Sequence, residues 1–147
     1  MSIAAFPGSF DPFSAGHHDI AQRALRMFDR LVIAIGVNVE KKGLYTAEQR
    51  KAYIEALFAA SDRVEVCTYE GLTVDFCKSI GATHIVRGLR NAADFSFEYA
   101  AAQANKAMLP DVDTVLLPAA PELAFVSSTL IRDVLKSGGD AAPLLSK

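Results

Sequence analysis

The stretch FPGSFDPFSAGHHDIAQRA, from Phe6 to Ala24, joins a strand-like segment directly to a helix-like one. The apolar run that begins at Ile3 breaks on Pro7-Gly8, and a helical pattern starts at Gly16. Apolar residues then recur on one helical stripe, at Ile20, Ala21, Ala24, Leu25 and Phe28. The stretch therefore predicts a β-strand followed by a helix, with two histidines, His17 and His18, at the start of the helix.

The rest of the chain repeats this alternation. LVIAIGV (Leu31 to Val37) is apolar on both faces, as is typical of a parallel strand covered by helices. TAEQ (Thr46 to Gln49) is a capping box that predicts a helix to about Ala60. Further strands are predicted in RVEVCTY, THIVRGL and DTVLLP, and further helices in LTVDFCKSIGA, Asn91 to Leu109 and SSTLIRDVLKSGG. Five β segments alternating with helices predict an α/β fold with a doubly wound five-stranded parallel sheet.

Composition sets limits on the class of protein. The 147 residues, 51% of them hydrophobic, suit a single domain over residues 1–147. A net charge of -2 argues against a nucleic-acid partner held by a broad basic surface, but it leaves room for a small anion. Cys67 and Cys77 have no further cysteine nearby and are expected to be free thiols. With no signal peptide and no long apolar run, we expect a cytoplasmic protein with no membrane partner.

Polar residues follow the predicted carboxyl ends of the strands, where ligands bind in sheets of this kind. They are Ser9, Asp11 and His17 after the first strand, Asn38 and Lys41 after the second, Arg87 and Arg90 after the fourth, and Ser127, Ser128 and Thr129 after the fifth. Cations, an imidazole and a serine-rich helix start suit an anion with several phosphates, and Arg132 is a further candidate ligand. Neither a Walker lysine loop nor a GxGxxG fingerprint is present in the sequence.

Three segments resemble the motifs of one enzyme family. PGSFDPFSAGHHDI resembles the PGTFDPxTxGHxDI signature of bacterial phosphopantetheine adenylyltransferases, which belong to the HxGH nucleotidyltransferase superfamily. VRGLRNAADFSFE and FVSSTLIR resemble that family's RGLR–DFxxE and ISSS/T motifs, in the same order and at the same spacing. The resemblance covers Ile3 to about Asp140, and it implies a Rossmann-like nucleotidyltransferase fold.

The resemblance also implies a reaction and an assembly. ATP and 4'-phosphopantetheine would give dephospho-coenzyme A and pyrophosphate, with Mg2+ as cofactor, in a homohexamer. The substrate phosphate is already an anion, so positioning and charge neutralisation at the α-phosphate would suffice without a general base.

The roles are carried over residue by residue. His17 would be the catalytic residue, donating to the α-phosphate and stabilising the transition state. Phosphopantetheine would be bound by Ser9, Lys41, Thr73 and Arg87. ATP would be bound by Ser9, Phe10, His17, Gly88, Leu89, Arg90, Glu98, Leu123, Ala124, Phe125, Val126, Ser127, Ser128 and Thr129. No residue of the chain is assigned as a metal ligand.

The sequence departs from the family pattern in several places. Leu123-Ala124 stands where an aromatic residue is frequent, and His18 has no counterpart and is expected to be structural. Asp11 is expected to cap the turn between Pro7 and Pro12 rather than to bind metal. The chain stops at Lys147, so the final helix of the family is expected to be missing or shortened.

Two other functions compete with this interpretation. The first is another HxGH-type enzyme, a nicotinate mononucleotide adenylyltransferase or a cytidylyltransferase, against which RGLRNAADFSFE argues. The second is a nucleotide-binding module without catalysis. Pyrophosphate release with phosphopantetheine or with nicotinate mononucleotide separates the two enzymes. A module without catalysis would bind ATP and release no pyrophosphate.

Overall fold

The alternating apolar segments fold into parallel strands and helices in the predicted order. The computed structural model describes residues 1–146. Within them the strands are β1 (Ile3–Gly8), β2 (Arg30–Gly36), β3 (Val64–Tyr69), β4 (His84–Leu89) and β5 (Asp113–Pro118). The helices are α1 (Ala15–Ala24), α2 (Ala47–Leu57), α3 (Thr73–Ile80), α4 (Ala92–Met108) and α5 (Ser128–Lys136), with short 3-10 turns at Pro121–Leu123 and Ala142–Leu144.

Local chemistry explains where helices begin and end. The backbone N–H of Gln49 donates to Oγ1 of Thr46 at 3.1 Å, and Oε1 of Gln49 accepts from the Thr46 N–H at 2.9 Å. This is the predicted capping box, and it satisfies two N–H groups at the start of α2. The helix ends at Leu57, somewhat earlier than expected. At the end of α3, Gly81 has a φ of 68°, a left-handed conformation that a side chain would disfavour.

The sheet has the strand order β3-β2-β1-β4-β5, and every adjacent pair is parallel. The chain moves outward from β1 in one direction through β2 and β3, and in the other through β4 and β5. The strand order reverses beside β1, and a sheet of this type opens a crevice at the carboxyl ends of the strands at that point.

Helices cover both faces of the sheet. On one face Ile20 of α1 and Ile54 of α2 pack with Phe6 and Ile33 of the central strands. On the other face Cys77 of α3 packs with Ile85 of β4. The predicted doubly wound α/β sheet is confirmed.

Two further expectations concern the thiols and membranes. Both cysteines are free, and Cys77 is fully buried. Burial raises its pKa to about 11, so the thiol stays protonated at neutral pH and serves as an unreactive core side chain. Within residues 1–146, no helix has the length and apolar character needed to cross a membrane.

Candidate active site

Two cavities open where the carboxyl ends of the strands meet. The β2-side cavity, of about 460 Å³, lies among the ends of β1 and β2, the start of α3 and one face of α4. The α5-side cavity, of about 290 Å³, lies among α1, the end of β4 and the start of α5. The two cavities share Gly8, Ser9, Arg87 and Glu98. They are therefore two compartments of one site that meet at the end of β1.

Most of the residues predicted from the motifs line these cavities. The α5-side cavity is lined by Ser9, Phe10, His17, Gly88, Leu89, Arg90, Glu98, Leu123, Val126, Ser127, Ser128 and Thr129. The β2-side cavity is lined by Ser9, Thr73 and Arg87. Residues far apart in sequence are thus brought together, as the strand-end argument requires.

Three predicted residues lie outside both cavities. Lys41 is exposed on the loop between β2 and α2, although Asn38 of the same loop lines the β2-side cavity. Phe125 is 63% exposed, and neither Phe125 nor Ala124 lines a cavity, whereas the next residue, Val126, is buried and lines the α5-side cavity. Ala124 and Phe125 therefore lie outside both cavity walls, and their assignment to ATP stays a prediction.

His17 is held by the start of its own helix. The backbone N–H of Ser14 donates to Nδ1 of His17 at 3.0 Å, and the His17 N–H donates to Oγ of Ser14 at 3.2 Å. This is a capping box in which an imidazole stands in for the usual Glu or Gln. Because Nδ1 accepts a hydrogen bond, it carries no proton, and the proton of the neutral ring lies on Nε2.

The surroundings of His17 keep its ring neutral. Burial, together with the nearby positive charges of Arg87 and Arg90, lowers its pKa from 6.5 to about 3. Within residues 1–146, Nε2 makes no hydrogen bond, and it is not sealed away from the α5-side cavity. At neutral pH this ring presents an N–H donor to the cavity.

Aromatic packing fixes the plane of the imidazole. The ring centroid of Phe10 lies 5.0 Å from that of His17 in an edge-to-face contact, and Phe13 lies at 5.4 Å. Phe10 itself has a φ of 50°, an uncommon conformation for a bulky residue that this packing must stabilise. Only 3% of Phe10 is exposed, so its main role here is to support His17.

Arg87 is positioned by Glu98. Nε and Nη2 of Arg87 donate to the Glu98 carboxylate at 2.8 Å and 2.7 Å, and Nη1 donates to the carbonyl oxygen of Pro7. Glu98 is only 7% exposed, so its carboxylate is occupied by the guanidinium rather than open to a ligand. Glu98, which was predicted to bind ATP, lines both cavities, and its observed contact orients Arg87 at the boundary between them.

The start of α5 offers backbone donors rather than hydroxyls. Oγ of Ser127 accepts from the Leu130 N–H at 3.1 Å, and the Ser128 hydroxyl donates to the Pro12 carbonyl at 2.8 Å. Among the described residues, the N–H groups of Ser128 and Thr129 have no acceptor. Both residues line the α5-side cavity, and N–H groups at the positive end of a helix are suited to phosphate oxygens.

The β2-side cavity contains polar residues that the motifs did not identify. The Tyr69 hydroxyl lies 2.8 Å from Oγ1 of Thr73, and the Tyr69 ring stacks on Phe76 at 4.9 Å. Asn105 of α4 also lines this cavity. Their only sequence signal was position, at the end of β3 and on the face of α4 that carries Glu98.

Observed contacts bear on the expectations for Arg132, His18 and Asp11. Arg132 donates to the Asp11 carbonyl at 2.8 Å and lines neither cavity, so the structure gives no support for a ligand contact by this side chain. His18 lies 2.6 Å from the Ser146 hydroxyl and packs on Phe58, which fits the expected structural role. Asp11 was expected to cap the turn between Pro7 and Pro12. Both of its carboxylate oxygens instead accept from the backbone of a distant loop.

The carboxylates that line the α5-side cavity are poorly suited to bind a divalent cation. Of the acidic residues lining the α5-side cavity, Glu98 is bound by Arg87, and Asp94 accepts from the N–H and Nε of Arg90 at 2.8 Å and 3.3 Å. No cluster of three possible ligands occurs in the part of the chain that the structure describes. The residues therefore do not fit a resident metal centre, since Mg2+ requires oxygen ligands that are free to coordinate.

Comparison with known proteins agrees with this geometry. Residues 5–134 match the family described as Cytidylyltransferase-like. A protein of Flavobacterium psychrophilum named phosphopantetheine adenylyltransferase is 48% identical over 145 residues, which cover 99% of this chain and 95% of the relative. A protein of the same name from Levilactobacillus brevis is 49% identical over 99% of this chain and 90% of its own length.

A solved structure is similar in fold. It is a crystal structure from Vibrio parahaemolyticus, provisionally named a nicotinate-nucleotide adenylyltransferase, with a TM-score of 0.74. The similarity covers 100% of this chain and 95% of that one at 20% sequence identity, and at this identity it bears on the fold alone. The much closer sequence relatives carry the family assignment: the chain belongs to the phosphopantetheine adenylyltransferases, within the cytidylyltransferase-like nucleotidyltransferases.

Proposed function

We propose that the chain transfers the adenylyl group of ATP to 4'-phosphopantetheine and releases dephospho-coenzyme A and pyrophosphate. The observation that carries this proposal is the junction of the two cavities at Ser9 and Arg87, with the N–H donor of His17 beside it. A reaction between two phosphate-bearing substrates needs such a junction, where both reacting groups are held at one point.

ATP occupies the α5-side cavity in this proposal. Its β- and γ-phosphates lie toward the free N–H groups of Ser128 and Thr129, and Arg90 adds positive charge at the cavity wall. Phosphopantetheine occupies the β2-side cavity, with its phosphate near Ser9 and Arg87 and its arm toward Thr73. Lys41 contacts the same phosphate when its loop approaches the site.

The chemical step is an in-line displacement. An oxygen of the phosphopantetheine phosphate forms a bond to the α-phosphorus, and the bond from that phosphorus to the bridging oxygen breaks, so pyrophosphate leaves with the electron pair. His17 donates from Nε2 to a non-bridging α-phosphate oxygen, where negative charge increases in the transition state. A neutral donor suits this role because it need not lose or gain a proton.

Mg2+ enters this proposal with the nucleotide. The cavity carboxylates are paired with arginines, so the ion is held by phosphate oxygens and water as part of the Mg2+–ATP substrate. The chain's own residues bind and orient the phosphates of that complex.

We further propose a homohexamer in the cytoplasm. Phe95, Phe97 and Tyr99 of α4 are 47%, 72% and 49% exposed, which is unusual for neighbouring aromatic residues unless a partner covers them. Free thiols, one of them buried, suit a reducing compartment. Sedimentation of the protein at micromolar concentration measures its mass directly, and a monomer would contradict the assembly.

Substrate choice tests the proposed reaction. With Mg2+–ATP, we expect pyrophosphate release on adding phosphopantetheine and none on adding nicotinate mononucleotide, and removal of Mg2+ by EDTA should stop the release. Release with nicotinate mononucleotide would favour the other nucleotidyltransferase. ATP binding without any release would favour the non-catalytic module.

The protonation state of His17 can be measured by ¹⁵N NMR of the imidazole. We expect the proton on Nε2 and no titration from pH 8 to about 4.5, because the pKa is lowered to about 3. The unfolded chain takes up this proton near pH 6.5 and the folded chain does not, so His17 makes the free energy of unfolding decrease as pH falls from 6.5 toward 3. A His17→Gln variant assigns the signals, and a midpoint near 6.5 or a proton on Nδ1 would contradict the assignment.

Removal of the donor should affect the rate more than binding. His17→Ala should lower kcat by about 10²–10³ with little change in ATP affinity, the size expected for one transition-state donor. His17→Gln, which can still donate, should recover part of the rate, and His18→Gln should remain close to wild type. Equal losses of ATP binding and of rate in His17→Ala would show that the imidazole acts mainly in the ground state.

A further inference from the structure

Asp11 is a buried carboxylate outside both cavities. It is 6% exposed, its Oδ2 accepts from the Leu44 N–H at 2.8 Å, and its Oδ1 accepts from the Tyr45 N–H at 2.9 Å. These donors are more than thirty positions away in sequence, on the loop between β2 and α2. The carboxylate therefore fastens that loop to the segment that follows β1.

Arg50 completes this attachment from the other side. Its Nη1 donates to the carbonyl oxygen of Ser9 at 2.8 Å and its Nε donates to the carbonyl oxygen of Tyr45 at 3.1 Å. Nε also lies 3.9 Å from Oδ1 of Asp11, and only 11% of the Arg50 side chain is exposed. One guanidinium thus bonds to the Ser9 backbone and to the loop at once.

Gly43 is required for the close approach of these groups. A Cβ added at Gly43 would lie 2.6 Å from Oδ2 of Asp11 and 3.2 Å from Nη2 of Arg50. A distance of 2.6 Å is below any normal carbon–oxygen contact, so any other residue would push the loop away from the carboxylate. We name Asp11, Arg50 and Gly43, with the Leu44 and Tyr45 backbone, the Asp11 clamp.

The Asp11 clamp lies between two groups assigned to the same substrate phosphate. Ser9 lines both cavities on one side of it, and Lys41 lies two residues before Gly43 on the other. The loop is also held at its first end, where the Val37 N–H donates to the Tyr69 carbonyl at 2.9 Å and Asn38 lines the β2-side cavity. The exposed tip between these two attachments carries Lys41. No side-chain hydrogen bond joins this tip to the rest of the described residues.

We propose that Asp11 and Arg50 are positioning residues that hold the Lys41 loop against the Ser9 segment. The inference rests on the proposed function, since it assigns Lys41 and Ser9 to one phosphate. The Asp11 clamp shortens the free part of the loop, so Lys41 reaches the junction of the cavities with less loss of conformational freedom on binding. Asp11 and Arg50 do not touch substrate.

A double-mutant cycle tests the clamp. Lys41→Ala should lower kcat/KM for phosphopantetheine by about 10- to 100-fold, the loss expected for one charge-assisted hydrogen bond. Gly43→Ala, which displaces the loop, should lower it by at least about fivefold, with the KM for ATP changed by less than about twofold. In the Lys41→Ala background, Gly43→Ala should cost less than about twofold more, because the group it positions is already gone.

Matched variants separate positioning from folding. Lys42→Ala, on the same loop, should keep wild-type kcat/KM, and chemical denaturation reports the stability of each variant. Where Gly43→Ala does not fold, Asp11→Asn takes its place, since it replaces one acceptor oxygen by an amide that cannot accept from a backbone N–H. In either variant, amide hydrogen exchange at Leu44 and Tyr45 should be faster than in the wild type.

The outcomes are distinguishable. Losses that multiply independently in the double variant, in an otherwise active enzyme, would overturn the clamp and leave the proposed function standing. A Lys41→Ala variant with wild-type kcat/KM would also overturn it. A wild-type protein that releases no pyrophosphate with phosphopantetheine would overturn the proposed function, and the clamp with it.

Discussion

The hydrogen bond from the Ser14 N–H to Nδ1 of His17 is the constraint on which the candidate site depends. It begins α1, and it also fixes which ring nitrogen carries the proton. Burial and two nearby guanidinium groups then keep the ring neutral, so the helix start delivers one N–H donor to the cavity. Without that bond the ring could rotate or change tautomer, and the donor would no longer have a defined direction.

The order of the strands in the sheet places the His17 donor near Arg87 and the start of α5. β1 is central, β4 lies beside it, and the residues that follow both strands reach the same edge. Arg87 lies at the end of β4 and is oriented by Glu98, and the first turn of α5 supplies N–H groups that have no acceptor within residues 1–146. Because these groups are fixed by packing and hydrogen bonds before substrate binds, the site has little to reorganise during the reaction.

The sequence was sufficient to predict the order of elements, because its signals are local. The Thr46–Gln49 capping box, the apolar run of β2 and the glycine after α3 each act within a few residues. Most of the residues that the motifs identified also line the two cavities. The end of α2 was less well predicted, since no breaker follows Leu57 in the sequence.

Long-range contacts account for what the sequence did not reveal. Asp11 binds a loop more than thirty positions away, and Glu98 binds Arg87 across a strand–helix connection. No local pattern distinguishes such carboxylates from solvated ones or from ligand contacts. The same applies to Ser128, whose hydroxyl donates to the Pro12 carbonyl, and to Phe125, which is exposed beside the buried Val126.

A crystal structure with dephospho-coenzyme A bound tests the central claim most directly. The account predicts Nε2 of His17 about 2.7–3.2 Å from a non-bridging oxygen of the phosphate attached to adenosine, with Nδ1 still bonded to the Ser14 N–H. It also predicts the adenosine half in the α5-side cavity and the pantetheine half in the β2-side cavity. A product whose phosphates lie away from Nε2, or an imidazole turned so that Nδ1 meets them, would contradict it.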